Sequence, residues 1–252
     1  MQRIKFGKIV AFVLLTLAVS VICRSGDVSA QSLDVASVHK PPLSTPEGTG
    51  MIDLIVKEAF SRIGVTIQII VADSTNALEK TDKGLYDADL MRIGGANEKY
   101  PNIVQVPETY FDYEFVAFSK TVNETMTGYE GLKPYRLVVP AGWVETNKNV
   151  TEANTKSVVR IASPFEMFNM LVKGETDLVI YNRLVGYELI KETGLSDIHA
   201  LEPPLAVRPM FLYLNKKHND LVAKLASAIS DMKKDGTIRK IIDETLSKYK
   251  KQ

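Results

Sequence analysis

Short runs of β-forming residues alternate with stretches of helical periodicity along most of the chain. Residues 33–38 (LDVASV) alternate in hydropathy and predict a strand, and apolar residues over 52–63 then recur at helical spacing. The run VTIQIIV over 65–71 predicts the next strand. The same strand–helix order occurs again later in the chain, where residues 177–181 predict a buried strand and residues 183–192 a helix. Such an order is typical of an α/β fold with mostly parallel sheets.

The remaining predicted elements keep the same rhythm. Further strands are predicted over 88–93, 115–118, 136–139 and 211–214, and further helices over 77–85, 164–173, 219–234 and from 237 onward. Ser163-Pro164-Phe165-Glu166 is a capping box with proline at the first helical position, which is a strong helix start. Two segments, residues 115–120 and 207–211, are predicted to cross between two lobes.

The first thirty residues predict a secretory signal sequence. Arg3, Lys5 and Lys8 form a basic start, and residues 9–23 then run without a charge. That run is too short for a comfortable transmembrane helix, which needs about 20 apolar residues. Residues 28–30 (VSA) fit a signal-peptidase site, so we expect cleavage after position 30 and export to the periplasm.

Two alternatives compete with a cleaved signal sequence. The apolar run could remain as an uncleaved membrane anchor, although its length and the Ser-Ala site favour cleavage. A lipoprotein would use Cys23, but Ile22 is bulky where a small residue is expected.

Removing the first thirty residues changes the charge balance of the chain. These residues carry four of the 31 Lys and Arg and one of the 30 Asp and Glu, so 27 basic and 29 acidic residues remain, with a net charge of −2. They also carry Cys23, the only cysteine. The mature chain therefore excludes disulfides and thiol catalysis, which suits a bacterial periplasm.

The sequence lacks the motifs of common enzyme and cofactor sites. It has no G-x-S-x-G, H-E-x-x-H, Walker loop or C-x-x-C pattern, and its three histidines are far apart. A near-neutral charge gives no reason to expect nucleic acid. We expect a non-enzymatic protein without a cofactor or metal.

Local patterns in the order and spacing of a known family run through the chain. They are LDVASVHKPPLSTPEGTGMIDLIVKEAFSRIGV (33–65), GLYDA (84–88), PETYF (107–111), SPFE (163–166) leading to GETDLV (174–179), and MKKDGTI (232–238). On these segments, residues 33–248 resemble the family 3 extracellular solute-binding proteins, the periplasmic receptors of amino-acid ABC importers. The chain is similar to a divergent member of that family.

The resemblance implies a two-lobed, type II periplasmic-binding-protein-like fold. Each lobe would be a mostly parallel sheet flanked by helices, and two crossing strands would form the hinge. Lobe one would comprise residues 31–117 and 211–252, and lobe two residues 118–210. Ligand would bind in the cleft between lobes that close by hinge bending.

The charged ligand-binding residues of the family do not carry over cleanly. The family's arginine in T-x-x-R, which clamps a carboxylate, corresponds to Lys99 here. Arg92 could supply a guanidinium instead, or it could form an ion pair. The family's aspartate that binds the ligand ammonium is replaced by Asn182, which could equally be a helix N-cap, and Arg183 follows it.

Aromatic and basic residues complete the predicted cleft. Lys40, next to His39, aligns with the aromatic residue that stacks on the ligand in the family. Trp143, the only tryptophan, follows a strand and a glycine, so it could stack on a ligand or pack in the core. Tyr110, near the first crossing, could line the cleft or pack at the hinge.

This residue set predicts a receptor for a small polar or anionic solute, because it is basic and contains no clear acid. We expect a monomer that delivers the solute to an ABC permease. One alternative is a ligand-sensing module for a membrane signalling partner. Another is an enzyme like cyclohexadienyl dehydratase on the same fold, which would need an acid or base such as Glu108, Asp112 or Glu114.

Overall fold

The computed structural model describes residues 32–73 and 76–250, with side chains to Ser247. The predicted signal sequence, residues 1–30, lies outside the described residues. The strands are β1 Leu33–Ser37, β2 Ile67–Val71, β3 Ala88–Ile93, β4 Ile103–Gln105, β5 Phe111–Ser119, β6 Arg136–Pro140, β7 Ser157–Ile161, β8 Leu178–Asn182, β9 His199–Ala200 and β10 Ala206–Asn215. The α-helices are α1 Met51–Arg62, α2 Ala77–Asp82, α3 Val144–Asn149, α4 Pro164–Val172, α5 Arg183–Thr193, α6 Asn219–Lys234 and α7 Thr237–Lys250.

The described strands form one ten-stranded sheet that runs through both lobes. Its order is β2-β1-β3-β10-β5-β8-β6-β7, with β4 paired to β10 and β9 to β5. The outer strands are parallel in each lobe, as predicted: β1 pairs with β2 and β3, and β6 pairs with β7 and β8. The central strands β10 and β5 are antiparallel to their neighbours.

The two central strands connect the lobes. The first half of β10 pairs with the first half of β5, Ala206 with Phe115 through Met210 with Phe111. Beyond this stretch β10 continues along β3, and β5 continues along β8. The predicted lobe boundaries at 117/118 and 210/211 fall inside β5 and β10. The exact boundaries remain predictions.

The sheet is covered by helices whose apolar faces form the main core. In lobe one, α1, α6 and α7 pack together, with Phe60, Leu225 and Ile229 buried. In lobe two, α4 and α5 cover the sheet, and Phe168 of α4 is fully buried. Burial of these faces supplies the main driving force for folding.

The sequence patterns failed to predict several elements that are short or lie at the edge of the sheet. Strands β4 and β7 and helix α3 were missed, and the crossing strands are longer than predicted. β7 pairs only with β6, and its side chains are mostly half-buried or exposed, so its sequence SVVRI lacks a clear apolar face. Helix α3 has six residues, too few for a 3.6-residue period to show.

The loop between β1 and α1 is tightly anchored. The buried carboxylate of Asp53 accepts hydrogen bonds from the Ser44 hydroxyl at 2.7 Å and from the amides of Thr45 at 2.9 Å and Gly50 at 3.0 Å. The backbone at Gly50 also lies close to the backbone at Leu43. A Cβ atom on Gly50 would be only 2.5 Å from the Leu43 carbonyl oxygen. Asp53 therefore fixes the loop that begins directly after β1.

No helix in the described residues is long and apolar enough to span a bilayer.

We expect Asp53→Ala to lower the free energy of unfolding by about 3 kcal/mol, because it leaves buried backbone donors without an acceptor. Urea denaturation measures this change. Asp231→Ala is the matched control, since Asp231 is an exposed carboxylate paired only with exposed Lys234, and its cost should stay within about 0.5 kcal/mol. Equal effects of the two substitutions would contradict the anchoring role.

Candidate functional site

Trp143 lies in an aromatic cluster where the two lobes meet. Its ring stacks on Tyr181 of β8, with centroids 5.0 Å apart and an interplanar angle of 19°. Tyr113 and Phe115, which share a face of β5, contact it edge-on at 5.9 Å and 5.8 Å. Trp143 therefore packs on a hinge strand and on lobe two. Of the two alternatives from the sequence, the structure contains the packing, and stacking on a ligand remains a proposal.

The ammonium of Lys40 covers the indole ring. Its Nζ lies 4.3 Å from the centroid of Trp143, within the range of a cation–π interaction. Since Tyr181 stacks on one face of the ring, the ammonium occupies the other. Lys40 follows β1 in lobe one and Trp143 precedes α3 in lobe two, so this contact bridges the cleft.

Burial makes the charge of Lys40 costly. Desolvation, followed by repulsion from Arg92, lowers the pKa of Lys40 from 10.5 to about 8. No carboxylate forms an ion pair with Lys40 among residues 32–73 and 76–250. The ammonium is therefore an unbalanced positive charge in a partly dry cleft, and an anion bound beside it would favour the charged form.

Arg92 forms an ion pair with Asp89 of the same strand. Its Nε donates to Asp89 Oδ1 at 2.9 Å and its Nη2 to Oδ2 at 2.8 Å. Asp89 is buried, with a side chain only 3% exposed, and Arg92 is 19% exposed. Of the two alternatives for Arg92, the structure contains the ion pair, and a ligand-binding role remains a proposal.

A bulge brings these two residues to one side of β3. Residues three apart on a regular strand point to opposite faces. Phe211 of β10 pairs with Arg92, but Tyr213 pairs with Asp89, so β3 has one extra residue between these two pairs. Because of this extra residue, the side chains of Asp89 and Arg92 lie on the same face of β3. Sequence periodicity could not show this, and Asp89 was therefore missed as a site residue.

Two buried polar atoms of predicted site residues have no hydrogen-bond partner in the part of the chain that the structure describes. They are Nε2 of His39 and the hydroxyl of Tyr110. Tyr110 is 3% exposed, and its burial raises its pKa well above 10. Leaving such groups unpaired costs about 1–3 kcal/mol each, so both atoms are available to a ligand or to bound water.

A cavity of about 430 Å³ lies at the junction of the lobes. It is lined by Ile93 at the end of β3 and the following Gly94, by residues of α3, and by Arg208, Pro209 and Phe211 of β10. Glu145 contributes the buried carboxylate of its wall and accepts from Arg208 at 2.7 Å and 2.9 Å. This acid was not singled out from the sequence, although it follows Trp143 by two positions.

The other predicted site residues have partners within the protein. Asn182 caps α5, because its Oδ1 accepts from the Val185 amide at 3.0 Å, and its amide nitrogen donates to the Glu114 carbonyl at 3.3 Å. Arg183 pairs with the carboxylates of Glu114 and Glu202. The structure therefore contains the helix N-cap, which was one of the two interpretations of Asn182.

Lys99 lies apart from the cluster. It is exposed, its ammonium is 5.2 Å from the Tyr100 ring centroid, and its charge helps to lower the pKa of Glu79 on α2. The structure thus places Lys40 close to Trp143 and Arg92, and Tyr110 close to Asp89 and Arg92. His39 is the sequence neighbour of Lys40. Which of these residues bind a ligand remains a proposal.

The carboxylates considered for an enzymatic role lie outside this cluster. Glu108 pairs with Lys233 of α6, Glu114 pairs with Arg183, and Asp112 is exposed. In the described part of the chain, no group of three or more His, Cys, Asp and Glu residues could hold a metal ion.

Family comparison identifies the class of protein. Residues 37–248 match the model of the bacterial extracellular solute-binding proteins, family 3. The chain belongs to this family. An uncharacterized protein of Shewanella oneidensis is 21% identical over 189 residues, which cover 73% of this chain and 71% of that protein.

Solved structures share the fold at low identity. An ancestral arginine-binding protein bound to arginine superposes with a TM-score of 0.68 at 22% identity, covering 84% of this chain and 97% of that one. The GluR0 ligand-binding core with L-glutamate gives 0.75 at 13%, covering 86% and 99%. A histidine kinase sensor domain similar to periplasmic binding proteins gives 0.72 at 14%, covering 86% and 96%. The predicted two-lobed periplasmic-binding-protein fold is confirmed.

We expect the free energy of unfolding of the wild type to rise relative to Lys40→Met between pH 8 and pH 10.5. The unfolded chain keeps this proton up to 10.5, whereas the folded protein releases it near 8. The unfolded state therefore binds more protons in this window, and stability increases with pH by up to about 1.4 kcal/mol per pH unit.

Urea denaturation across this pH range measures the difference. Lys99→Met removes an exposed lysine and should retain the wild-type profile. A Lys40→Met profile parallel to the wild type would show that Lys40 is not desolvated.

Proposed function

We propose that the protein is an exported, non-enzymatic receptor that binds a small polar or anionic solute in the cleft between its lobes. Family membership supports solute binding, and the cluster around Lys40 and Trp143 provides a place for it. The signal sequence predicted over residues 1–30 supports a periplasmic location.

One observation carries the proposal: a basic, partly dry cluster contains polar groups that the protein does not satisfy. The Lys40 ammonium has no acid partner in the described residues, and the Tyr110 hydroxyl and His39 Nε2 have no hydrogen-bond partner. Native proteins rarely leave such groups unpaired. A small anion could accept from the ammonium and the hydroxyl together, which would offset the cost of burying them.

Closure of the lobes would be coupled to this binding. Lys40 approaches from lobe one, and Trp143 belongs to lobe two. A ligand that contacts both would favour the closed arrangement over the open one by its additional contacts there. Such a closed shape is what a membrane partner can recognise.

We propose an ABC importer as that partner, as in amino-acid transport systems, with the receptor acting as a monomer. Sensing is the second candidate, supported by the structural similarity to a histidine kinase sensor domain. Neighbouring genes discriminate between the two: permease and ATPase genes would support transport, and a histidine kinase or cyclase gene would support sensing.

Native mass spectrometry of protein purified from an exporting bacterial host tests whether a small molecule is retained. The expected result is a bound mass that is released on denaturation. A ligand-free spectrum, together with no shift in melting temperature across a broad metabolite panel, would contradict solute binding.

We expect Tyr110→Phe to weaken the apparent affinity for the retained small molecule about tenfold, which is equivalent to about 1.4 kcal/mol of binding free energy. Stability should not fall, because the hydroxyl has no hydrogen-bond partner among the described residues. Tyr135→Phe is the control, since that hydroxyl bonds Glu124 on the surface of lobe two. Loss of stability in Tyr110→Phe without loss of ligand would show that the hydroxyl is structural.

A further inference from the structure

We propose that the ligand of this cleft is a small organic carboxylate that lacks an ammonium group. The inference rests on the proposed solute-binding function and narrows its ligand class. Amino acids carry a carboxylate and an ammonium, and each charge must find a partner when it leaves water. The cluster offers a partner for the first charge and none for the second.

The positive charge for the carboxylate comes from Lys40. Its ammonium is held over Trp143 at 4.3 Å and lacks an acid partner in the described residues. The hydroxyl of Tyr110 is a further donor, since it is buried and unpaired. A carboxylate accepts several hydrogen bonds at once, so one ligand group can satisfy both.

The buried acids near the cleft are already neutralised. Both oxygens of Asp89 accept from Arg92. Both oxygens of Glu145 accept from Arg208, and Oε1 also accepts from Tyr129 and Asn149. Taking Asp89 for a ligand ammonium would leave the largely buried Arg92 guanidinium, 19% exposed, unpaired, which is unfavourable. Taking Glu145 would require it to give up its bonds from Arg208, Tyr129 and Asn149.

The remaining candidate acceptors are also unavailable. Asn182 is neutral, and its side chain is used at both ends, by the Val185 amide and the Glu114 carbonyl. Asp112 is exposed, and it points to the face of β5 opposite Tyr113 and Trp143. Asp53, whose charge also acts on Tyr110, has both oxygens bonded by Ser44, Thr45 and Gly50. No carboxylate in the described residues is therefore free to balance a ligand ammonium at this cluster.

The aromatic surface cannot compensate for the missing acid. A cation can bind to the face of a tryptophan, but Tyr181 covers one face of Trp143 and Lys40 covers the other. Tyr113 and Phe115 contact the ring edge-on. Lys40 thus occupies the position that a ligand cation would take, and it acts as a specificity-determining residue.

Isothermal titration calorimetry with matched ligand pairs tests the proposal. The pairs differ only in the α-ammonium group: propionate with L-alanine, succinate with L-aspartate, and glutarate with L-glutamate. Arginine and inorganic phosphate complete the panel. The wild type should bind at least one carboxylate ten or more times more tightly than its amino-acid partner, and it should not bind arginine.

Two variants assign the effect to Lys40. Lys40→Met should weaken binding of the preferred carboxylate at least tenfold, whereas Lys99→Met should leave it unchanged. Lys40→Met also removes the positive charge that would repel a ligand cation beside Trp143, so arginine should then quench the tryptophan fluorescence, which it should not do in the wild type. Circular dichroism confirms that both variants are folded.

The outcomes separate the ligand class from the general function. Equal or tighter binding of an amino acid, or preferential binding of phosphate, would overturn the carboxylate inference and leave solute binding intact. Unchanged carboxylate affinity in Lys40→Met would overturn the role of Lys40. Folded wild-type protein that binds no member of the panel and retains no small molecule on purification would contradict solute binding itself.

Discussion

The antiparallel pairing of β5 with β10 is the constraint on which the rest of the structure depends. Each strand belongs to one lobe at one end and to the other lobe at its other end. Pro209 lies in the paired stretch, opposite Asp112, and it supplies no backbone donor. Motion between the lobes must therefore be absorbed where these two strands cross.

This arrangement places side chains from distant parts of the chain around one point. Lys40 follows β1 and Arg92 is in β3, and they are close because the carboxyl ends of parallel strands meet at the same edge of a sheet. Trp143 follows β6, which runs in the opposite direction in lobe two, and it meets Lys40 from the other lobe. Tyr113 and Phe115 then connect this edge to the hinge. In the proposed function, binding and closure would involve the same residues, since the Lys40–Trp143 contact connects the two lobes.

Much of the fold and part of the site were predictable from local patterns. Strands β1, β3 and β8 and helices α1, α5 and α6 were predicted nearly to their ends, because their buried faces have a clear period. The alignment of Lys40 with the family's stacking aromatic and the position of Trp143 after a strand and a glycine pointed to two residues that are in contact in the structure. The pairing of Asp89 with Arg92 was not predictable, because it depends on a bulge against β10.

The sequence by itself determined the α/β class, the family and the basic character of the cleft, since periodicity, strand-end positions and residue types are local properties. Only the tertiary structure decided which charges remain available. It paired Arg92 with Asp89 and Arg183 with Glu114, separated Lys99 from the cluster, and left Lys40 without an acid partner among the described residues. Charge balance depends on distances across the sheet and between the lobes, and these distances exist only once the chain has folded.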